Sequence, residues 1–201
     1  MRVIAGTYRS RKLQTLKGLA LRPSSDRLRE TLFNILGAEV HGAVFVDLFA
    51  GSGAVGIEAL SRGAQEAIFV EHHAAGVKLL RRNLESLEIP PGGTYAAIPG
   101  KHFPGTAEVL ALDVMTALER LVARGLRADL IFADPPYADT RAYDAVFNFL
   151  GDSDLLASDG RVILEHDRRR TLPAFAGQLE RTRILPQGDA HLSFYRQVRA
   201  A

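Results

Sequence analysis

The feature that most constrains the fold is a regular alternation of short apolar runs with helical stretches from residue 43 onward. Four such runs, each followed by a helical pattern, cover residues 43–46, 67–70, 109–112 and 130–133. Continuously apolar strands are typical of a parallel sheet that helices cover on both faces. A fifth run at 161–165 and two strand-like runs between Leu179 and Val198 continue the pattern. The sequence therefore predicts an α/β fold built on a doubly covered sheet.

The segment ahead of this sheet differs from it in charge. Residues 3–5 and 12–15 flank a Gly-Thr-Tyr-Arg turn and predict a short hairpin, and apolar side chains at helical spacing then predict a helix that ends near Gly37. The first 30 residues carry a net charge of +6, whereas the other 171 carry −4. A basic segment on a mildly acidic body favours a polyanion such as nucleic acid as partner, with simple solubilisation as the alternative.

Composition excludes several classes of protein. The chain has no cysteine, which excludes a disulfide scaffold, a zinc–cysteine site and a thiol nucleophile. No apolar run approaches the roughly 20 residues that a bilayer requires. The amino terminus lacks the pattern of a signal peptide, so we expect a cytoplasmic protein. Residues 89–107 contain four prolines and four glycines and predict a long loop.

A carboxylate stands at the end of each of the first four predicted strands: Asp47, Glu71, Asp113 and Asp134. Any one of them could simply cap the following helix. Ligands of open parallel sheets bind at the carboxyl ends of the strands, however, so four acids in equivalent positions predict one ligand site.

Three glycines within residues 51–56 match the G-x-G-x-x-G pattern of dinucleotide sites, and Glu71 follows fifteen residues later. Asp47 opposes that interpretation, because it would repel a pyrophosphate bound at this turn. S-adenosylmethionine carries a sulfonium and an ammonium but no phosphate. Its ribose could donate to Glu71, and its adenine amine to Asp113. The sequence thus favours S-adenosylmethionine, with an NAD-binding oxidoreductase as an alternative.

The tetrapeptide Asp134-Pro135-Pro136-Tyr137 follows the fourth strand directly. Consecutive prolines fix the backbone and leave carbonyl groups without neighbouring N–H groups. Asp134 and the Pro135 carbonyl would form two acceptors for an exocyclic amine, and Tyr137 would offer a face on which a base could stack. A capped Pro-Pro turn is the structural alternative.

Asp134–Tyr137 and the Asp-x-x-x-Gly-x-Gly turn resemble amino-methyltransferases that modify nucleobases or glutamine amides. Over nearly its whole length, the chain resembles one group of these enzymes, the bacterial RsmD family. The segments that carry this resemblance are 2–6, 9–13, 22–27, 33–36, 47–53 and 188–195.

The resemblance implies a Rossmann-like class I methyltransferase with a seven-stranded, mostly parallel sheet, an antiparallel last strand and an N-terminal β-hairpin extension. It implies methyl transfer from S-adenosylmethionine to the N2 amine of one guanine, position 966 in conventional 16S rRNA numbering, in the small ribosomal subunit or an assembly intermediate. On this basis we expect a basic RNA-contacting extension at 1–25 and a catalytic domain at 26–201.

Motif matching and the basic segment supply three sets of candidate residues. The cofactor set is Asp47, Gly51, Gly53, Glu71, Asp113 and Val114. The target-base set is Asp134, Pro135, Pro136 and Tyr137. The RNA-binding set is Arg9, Arg11, Lys12, Arg22, Ser24 and Arg27.

Two features depart from the family pattern, Ser24 in place of threonine and the long loop at 89–107, and the loop puts the adenine contacts in question. Among the alternatives, a DNA adenine-N6 methyltransferase would need a target-recognition domain for which this chain has no room. A protein glutamine-N5 methyltransferase would more often carry Asn at position 134. We expect a monomer with no metal and no membrane association.

Overall fold

The computed structural model describes residues 1–15, 26–92, 105–136 and 140–198. Three candidate residues, Arg22, Ser24 and Tyr137, lie outside these ranges, as does most of the predicted loop at 89–107. The chain forms two compact units, Met1–Asp113 and Val114–Ala201. No helix within the described ranges combines the length and apolar character needed to cross a membrane.

The first unit contains three helices and three parallel strands among its described residues. In chain order these are α1 Asp26–Leu36, β1 Val44–Asp47, α2 Ala54–Ser61, β2 Glu66–Val70, α3 Ala74–Ser86 and β3 Thr106–Leu110, with a 3₁₀ turn at Gly37–Val40 after α1. β2 lies between β1 and β3 and pairs in parallel with both. The helix predicted to end near Gly37 is α1, which ends at Leu36 and is followed by Gly37 at a φ of +52°.

The second unit combines parallel and antiparallel pairing. Its elements are α4 Val114–Ala123, β4 Ala128–Ala133, α5 Thr140–Asp152, β5 Leu156–Asp167, β6 Phe175–Ala176, β7 Leu179–Gln187 and β8 Ala190–Gln197. β4 and β5 are parallel, and β8 runs antiparallel between β5 and β7. The last strand is thus antiparallel, as the resemblance implied.

Two sequence-based predictions of strand structure need correction. The described residues contain eight strands where seven were expected, because the two-residue β6 is too short to leave a periodic pattern. β3 covers 106–110 and not 109–112, so the predicted loop extends two residues too far. The expected N-terminal hairpin is present but short: the Val3 amide donates to the Arg11 carbonyl and the Leu13 amide to the Met1 carbonyl, each at 3.0 Å, around an antiparallel bridge between Arg2 and Lys12.

The N-terminal segment, residues 1–15, lies against the first unit. Val3, Tyr8 and Leu13 are buried, whereas the basic side chains between them are exposed. The backbone amides of Thr7 and Tyr8 donate to the carbonyl and hydroxyl oxygens of Ser61, at 2.8 and 2.9 Å. Apolar anchors and contacts with α2 therefore hold this segment against the first unit.

Candidate functional site

The glycine turn connects β1 to α2 in the first unit. Gly53 has a φ of +80°, and a Cβ atom at this position would lie 2.3 Å from Leu80 Cδ1. A left-handed backbone conformation against a packed helix requires glycine here. The Ala50 amide donates to the Val70 carbonyl at 2.9 Å, so the turn is also tied to the end of β2.

Asp47 lies beneath this turn and is only 1% exposed. Its Oδ2 accepts a hydrogen bond from the Gly56 amide in the first turn of α2, at 3.1 Å. Burial raises the pKa of Asp47 to about 7, against the opposing effect of hydrogen bonds from the Gly56 and Phe49 amides, and the Glu71 charge raises it further. The first turn of α2 is therefore already occupied by a carboxylate of the chain itself.

Glu71 follows β2 directly and contacts the glycine turn. Its Oε2 accepts from the Gly51 amide at 2.9 Å, and its Oε1 accepts from the His73 amide at 2.7 Å. A Cβ at Gly76 would approach the Glu71 carboxyl carbon to 2.8 Å, so the side chain packs closely on α3. The structure thus brings together Glu71 and Gly51, which are 20 residues apart.

Glu71 also belongs to a group that could hold a metal ion. Glu71, His72 and His73 each offer a ligand atom, and these atoms lie within 4.8 Å of one another. The two imidazole rings are exposed and in contact, with centroids 3.7 Å apart. Both Glu71 oxygens already accept backbone amides, however, and the expectation of a metal-free site stays a prediction.

Asp113 and Val114 lie away from the end of the third strand. β3 ends at Leu110, so Asp113 comes three residues later and is exposed, and Val114 is the first residue of α4. The prediction that Asp113 directly ends a strand is therefore wrong. It followed from extending β3 through the polar-free run Ala111-Leu112.

The Asp134–Pro136 segment belongs to the second unit and begins directly after β4. Asp134 is half-buried, Pro135 is buried and Pro136 is exposed. The Tyr143 hydroxyl on α5 lies 3.1 Å from the Pro135 carbonyl oxygen and 3.0 Å from that of Glu165 on β5. Sequence reasoning missed Tyr143, because a tyrosine within an apolar helix carries no distinguishing local signal.

The described RNA-binding candidates are all exposed. Arg9, Arg11 and Lys12 lie on the outer side of the N-terminal segment, and Arg27 lies on α1. Arg11 also donates to the Ser86 carbonyl at 2.7 Å, at the end of α3. The neighbouring Arg29, by contrast, is fully buried, so this part of the positive charge does not reach solvent.

A buried carboxylate, Glu58, anchors the N-terminal segment to α2. Its carboxylate accepts hydrogen bonds from the amides of Ile4 and Ala5 at 2.7 and 3.0 Å and pairs with the Arg62 Nε at 2.7 Å. Buried charges persist where they are paired and hydrogen-bonded. Sequence analysis missed this anchor, although a lone acid in the otherwise apolar α2 was a usable signal.

Asn83 on α3 joins the N-terminal segment to the glycine turn. It is fully buried; its Oδ1 accepts from the Gln14 amide at 2.8 Å, and its Nδ2 donates to the Gln14 and Ser52 carbonyls at 3.1 and 2.9 Å. Ser52 stands between the two glycines of the cofactor set. A single amide therefore connects the two parts of the first unit that are candidates for RNA and cofactor binding.

Comparison with known proteins yields a family and close relatives. The family model described as "Conserved hypothetical protein 95" matches residues 1–196. The chain is 34% identical to YlbH of Bacillus subtilis (strain 168) over 197 residues, which are 98% of this chain and 99% of that protein. It is also 34% identical to "Ribosomal RNA small subunit methyltransferase D" of Escherichia coli (strain K12), over 86% of this chain and 78% of the relative.

A solved structure of yhhF from Escherichia coli has the same fold. It superimposes with a TM-score of 0.78 and 32% identity, over 98% of this chain and 97% of that one. The described α/β architecture is therefore that of the methyltransferases found among its structural neighbours.

Proposed function

The chain belongs to the family described as conserved hypothetical protein 95, the RsmD family, and from this premise we propose that it methylates ribosomal RNA with S-adenosylmethionine. The proposed target is the N2 amine of guanine 966 in the 16S rRNA of the small subunit. The observation that carries the proposal is the likeness to ribosomal RNA small subunit methyltransferase D over 86% of the chain.

The chemistry of the glycine turn supports S-adenosylmethionine over a dinucleotide. A pyrophosphate would need the free amides of a helix N-terminus. In this chain Asp47 accepts the Gly56 amide there, and its charge would oppose an anion. A cationic ligand stabilises the same carboxylate, and Glu71 has further lone pairs for ribose hydroxyls.

S-adenosylmethionine, when bound, supplies an electrophilic methyl group on a positively charged sulfur. The chain's own part is to hold the amine. Asp134 and the Pro135 carbonyl accept hydrogen bonds from its two N–H groups, which makes the nitrogen lone pair more available for attack on the methyl carbon. The nitrogen sheds one proton on methylation, and Asp134 can accept it without being a strong base, because the methylated nitrogen is acidic. Such positioning can supply about 7–11 kcal/mol of the barrier reduction.

The exposed basic side chains of the N-terminal segment support a nucleic-acid substrate. Contacts of this kind bind phosphate and position the protein without reading sequence. A target guanine inside a stack must be turned out before its amine can be reached, and Tyr137 is proposed to stack on it.

The test is transfer of labelled methyl from S-adenosylmethionine to small subunits that lack this modification, followed by nucleoside analysis of the rRNA. We expect N2-methylguanosine at one site, loss of transfer in Asp134→Ala, and normal transfer in the surface control Asp154→Ala. Label in DNA or protein instead would overturn the substrate, and binding of NADH without S-adenosylmethionine would overturn the cofactor.

A further inference from the structure

We propose that Tyr143 is a positioning residue whose hydroxyl holds the Pro135 carbonyl in the orientation that receives the target amine. This inference rests on the proposed function, because it concerns the acceptor pair that the methyl transfer would use. It assigns a role to a residue outside the Asp134–Tyr137 motif.

The Tyr143 hydroxyl links two segments of the second unit. It lies 3.1 Å from the Pro135 carbonyl oxygen and 3.0 Å from the Glu165 carbonyl oxygen, and its side chain is 1% exposed. β4 and β5 pair in parallel, with Ala133 opposite Leu164. The hydroxyl therefore joins the segment that leaves β4 to the neighbouring end of β5.

The Pro-Pro pair explains why an outside donor is needed here. The two rings fix φ at Pro135 and Pro136 but leave ψ to be set by contacts, and neither residue has a backbone N–H to donate. The carbonyl groups of the two prolines are therefore their only backbone groups that can form hydrogen bonds. Tyr143 contributes a hydrogen-bond donor to the Pro135 carbonyl from outside the motif.

The tyrosine ring is in turn held in place. The guanidinium carbon of Arg170 lies 4.3 Å from the ring centroid, and an Arg170 terminal nitrogen pairs with Asp144 at 2.9 Å. A cation over an aromatic face is attractive, more so when partly desolvated. These contacts restrain the ring and thereby fix the position of its hydroxyl oxygen.

The hydrogen bond from Tyr143 leaves the Pro135 carbonyl able to accept a second hydrogen bond from the substrate. Tyr143 has one proton to share between two carbonyl oxygens, whereas each carbonyl has two lone pairs. The Pro135 carbonyl therefore keeps a lone pair for the incoming amine. Without the Tyr143 hydroxyl, the Pro135 carbonyl could still accept a hydrogen bond, but it would lose the contact that holds its orientation.

The experiment compares Tyr143→Phe with Tyr195→Phe in the methyl-transfer assay on small subunits. Tyr195 is a matched control, because it is also buried in the second unit and donates to a proline carbonyl, that of Pro173, at 2.9 Å. Each variant removes one hydroxyl. kcat, KM for the small subunit, the dissociation constant for S-adenosylmethionine and the melting temperature are measured for both.

We expect Tyr143→Phe to lower kcat about 10- to 100-fold, with KM and cofactor affinity within about 2-fold of wild type, since a small misplacement of a reacting group can reduce a rate this much. Tyr195→Phe should keep its kcat. A wild-type kcat in Tyr143→Phe, or an equal fall in both variants, would overturn the inference and leave the proposed function standing. Absence of transfer by the wild-type protein would overturn the proposed function and the inference with it.

Discussion

Asp47 is a buried carboxylate whose charge state depends on what binds beside it. Its pKa of about 7 means that near neutral pH the unliganded protein is a mixture of protonated and ionised forms. A cationic ligand prefers the ionised form and an anionic ligand the protonated one. The direction of the pH dependence of binding therefore reports the sign of the ligand charge.

We expect the affinity for S-adenosylmethionine to rise about tenfold or more between pH 5.5 and 7.0. At a pH below the Asp47 pKa of about 7, a proton must leave Asp47 before the cation binds. Each unit of increase in pH in this range therefore raises the affinity up to tenfold. Calorimetric titration at several pH values measures this. Asp47→Asn, which cannot ionise, is the control and should bind weakly with no such dependence. A wild-type affinity that falls as pH rises would contradict a stabilising charge contact between Asp47 and the cofactor.

At the scale of elements, the N-terminal segment and α2 fit closely at Gly6. This residue has a φ of +80°, and a Cβ there would lie 1.8 Å from the Ser61 carbonyl oxygen. The segment therefore cannot dock in this way with any side chain at position 6.

Gly6→Ala should detach the segment and weaken binding to small subunits, while the glycine turn still binds S-adenosylmethionine normally. Gly42→Ala separates the clash from backbone strain, because Gly42 has a similar φ of +75° and a Cβ there would meet no atom within 4 Å. Filter binding to small subunits and calorimetry with the cofactor check both halves. Equal loss of small-subunit binding in the two variants would mean that the docking of the N-terminal segment on α2 does not contribute to that binding.

Asn83→Asp should destabilise both features that Asn83 joins. The substitution keeps an acceptor for the Gln14 amide but places a carboxylate against the Gln14 and Ser52 carbonyls. We expect a loss of about 1–3 kcal/mol in unfolding free energy, the usual effect of an unsatisfied buried polar group, together with weaker cofactor binding. Urea denaturation and calorimetry measure these. Unchanged cofactor affinity would show that the Ser52 contact does not shape the turn.

The elements differ in how far the sequence could predict them. β1, β2 and β4 were predictable because their apolar runs are continuous, and the Glu71 contact with Gly51 followed from the parallel pairing of β1 and β2. β3 was misplaced because Ala111 and Leu112 prolong its apolar run beyond its hydrogen-bonded part. Asn83 and Tyr143 act through partners 8 to 69 residues away, and no local pattern encodes such contacts. Glu58 stands out locally as a lone acid in α2, but the amides that it accepts from are 53 and 54 residues away.

For the molecule as a whole, the charge is divided between a basic beginning and an acidic remainder. A polyanion bound through phosphate contacts releases counterions, so its affinity depends on salt. Arg9 and Lys12 are exposed on the N-terminal segment, whereas Lys78 and Arg127 are exposed elsewhere.

Removing both Arg9 and Lys12 by substitution with Ala should weaken small-subunit binding and reduce its logarithmic salt slope by about 0.7–0.9 for each phosphate that is no longer neutralised. The double variant Lys78→Ala and Arg127→Ala changes net charge equally and should keep the wild-type slope. Affinity measured across a series of salt concentrations distinguishes them. Equal slopes in the two double variants would contradict a phosphate-binding role for the N-terminal segment.

The docking of residues 1–15 through their buried side chains has a consequence for how such a surface can change. Val3, Tyr8 and Leu13 face inward and the basic residues face outward, so folding has already restricted the backbone that presents the charges. Binding then loses less conformational entropy than a disordered tail would lose. The outward residues can also be exchanged with little effect on folding, which leaves selection free to retune the recognition of the partner while the scaffold stays constant.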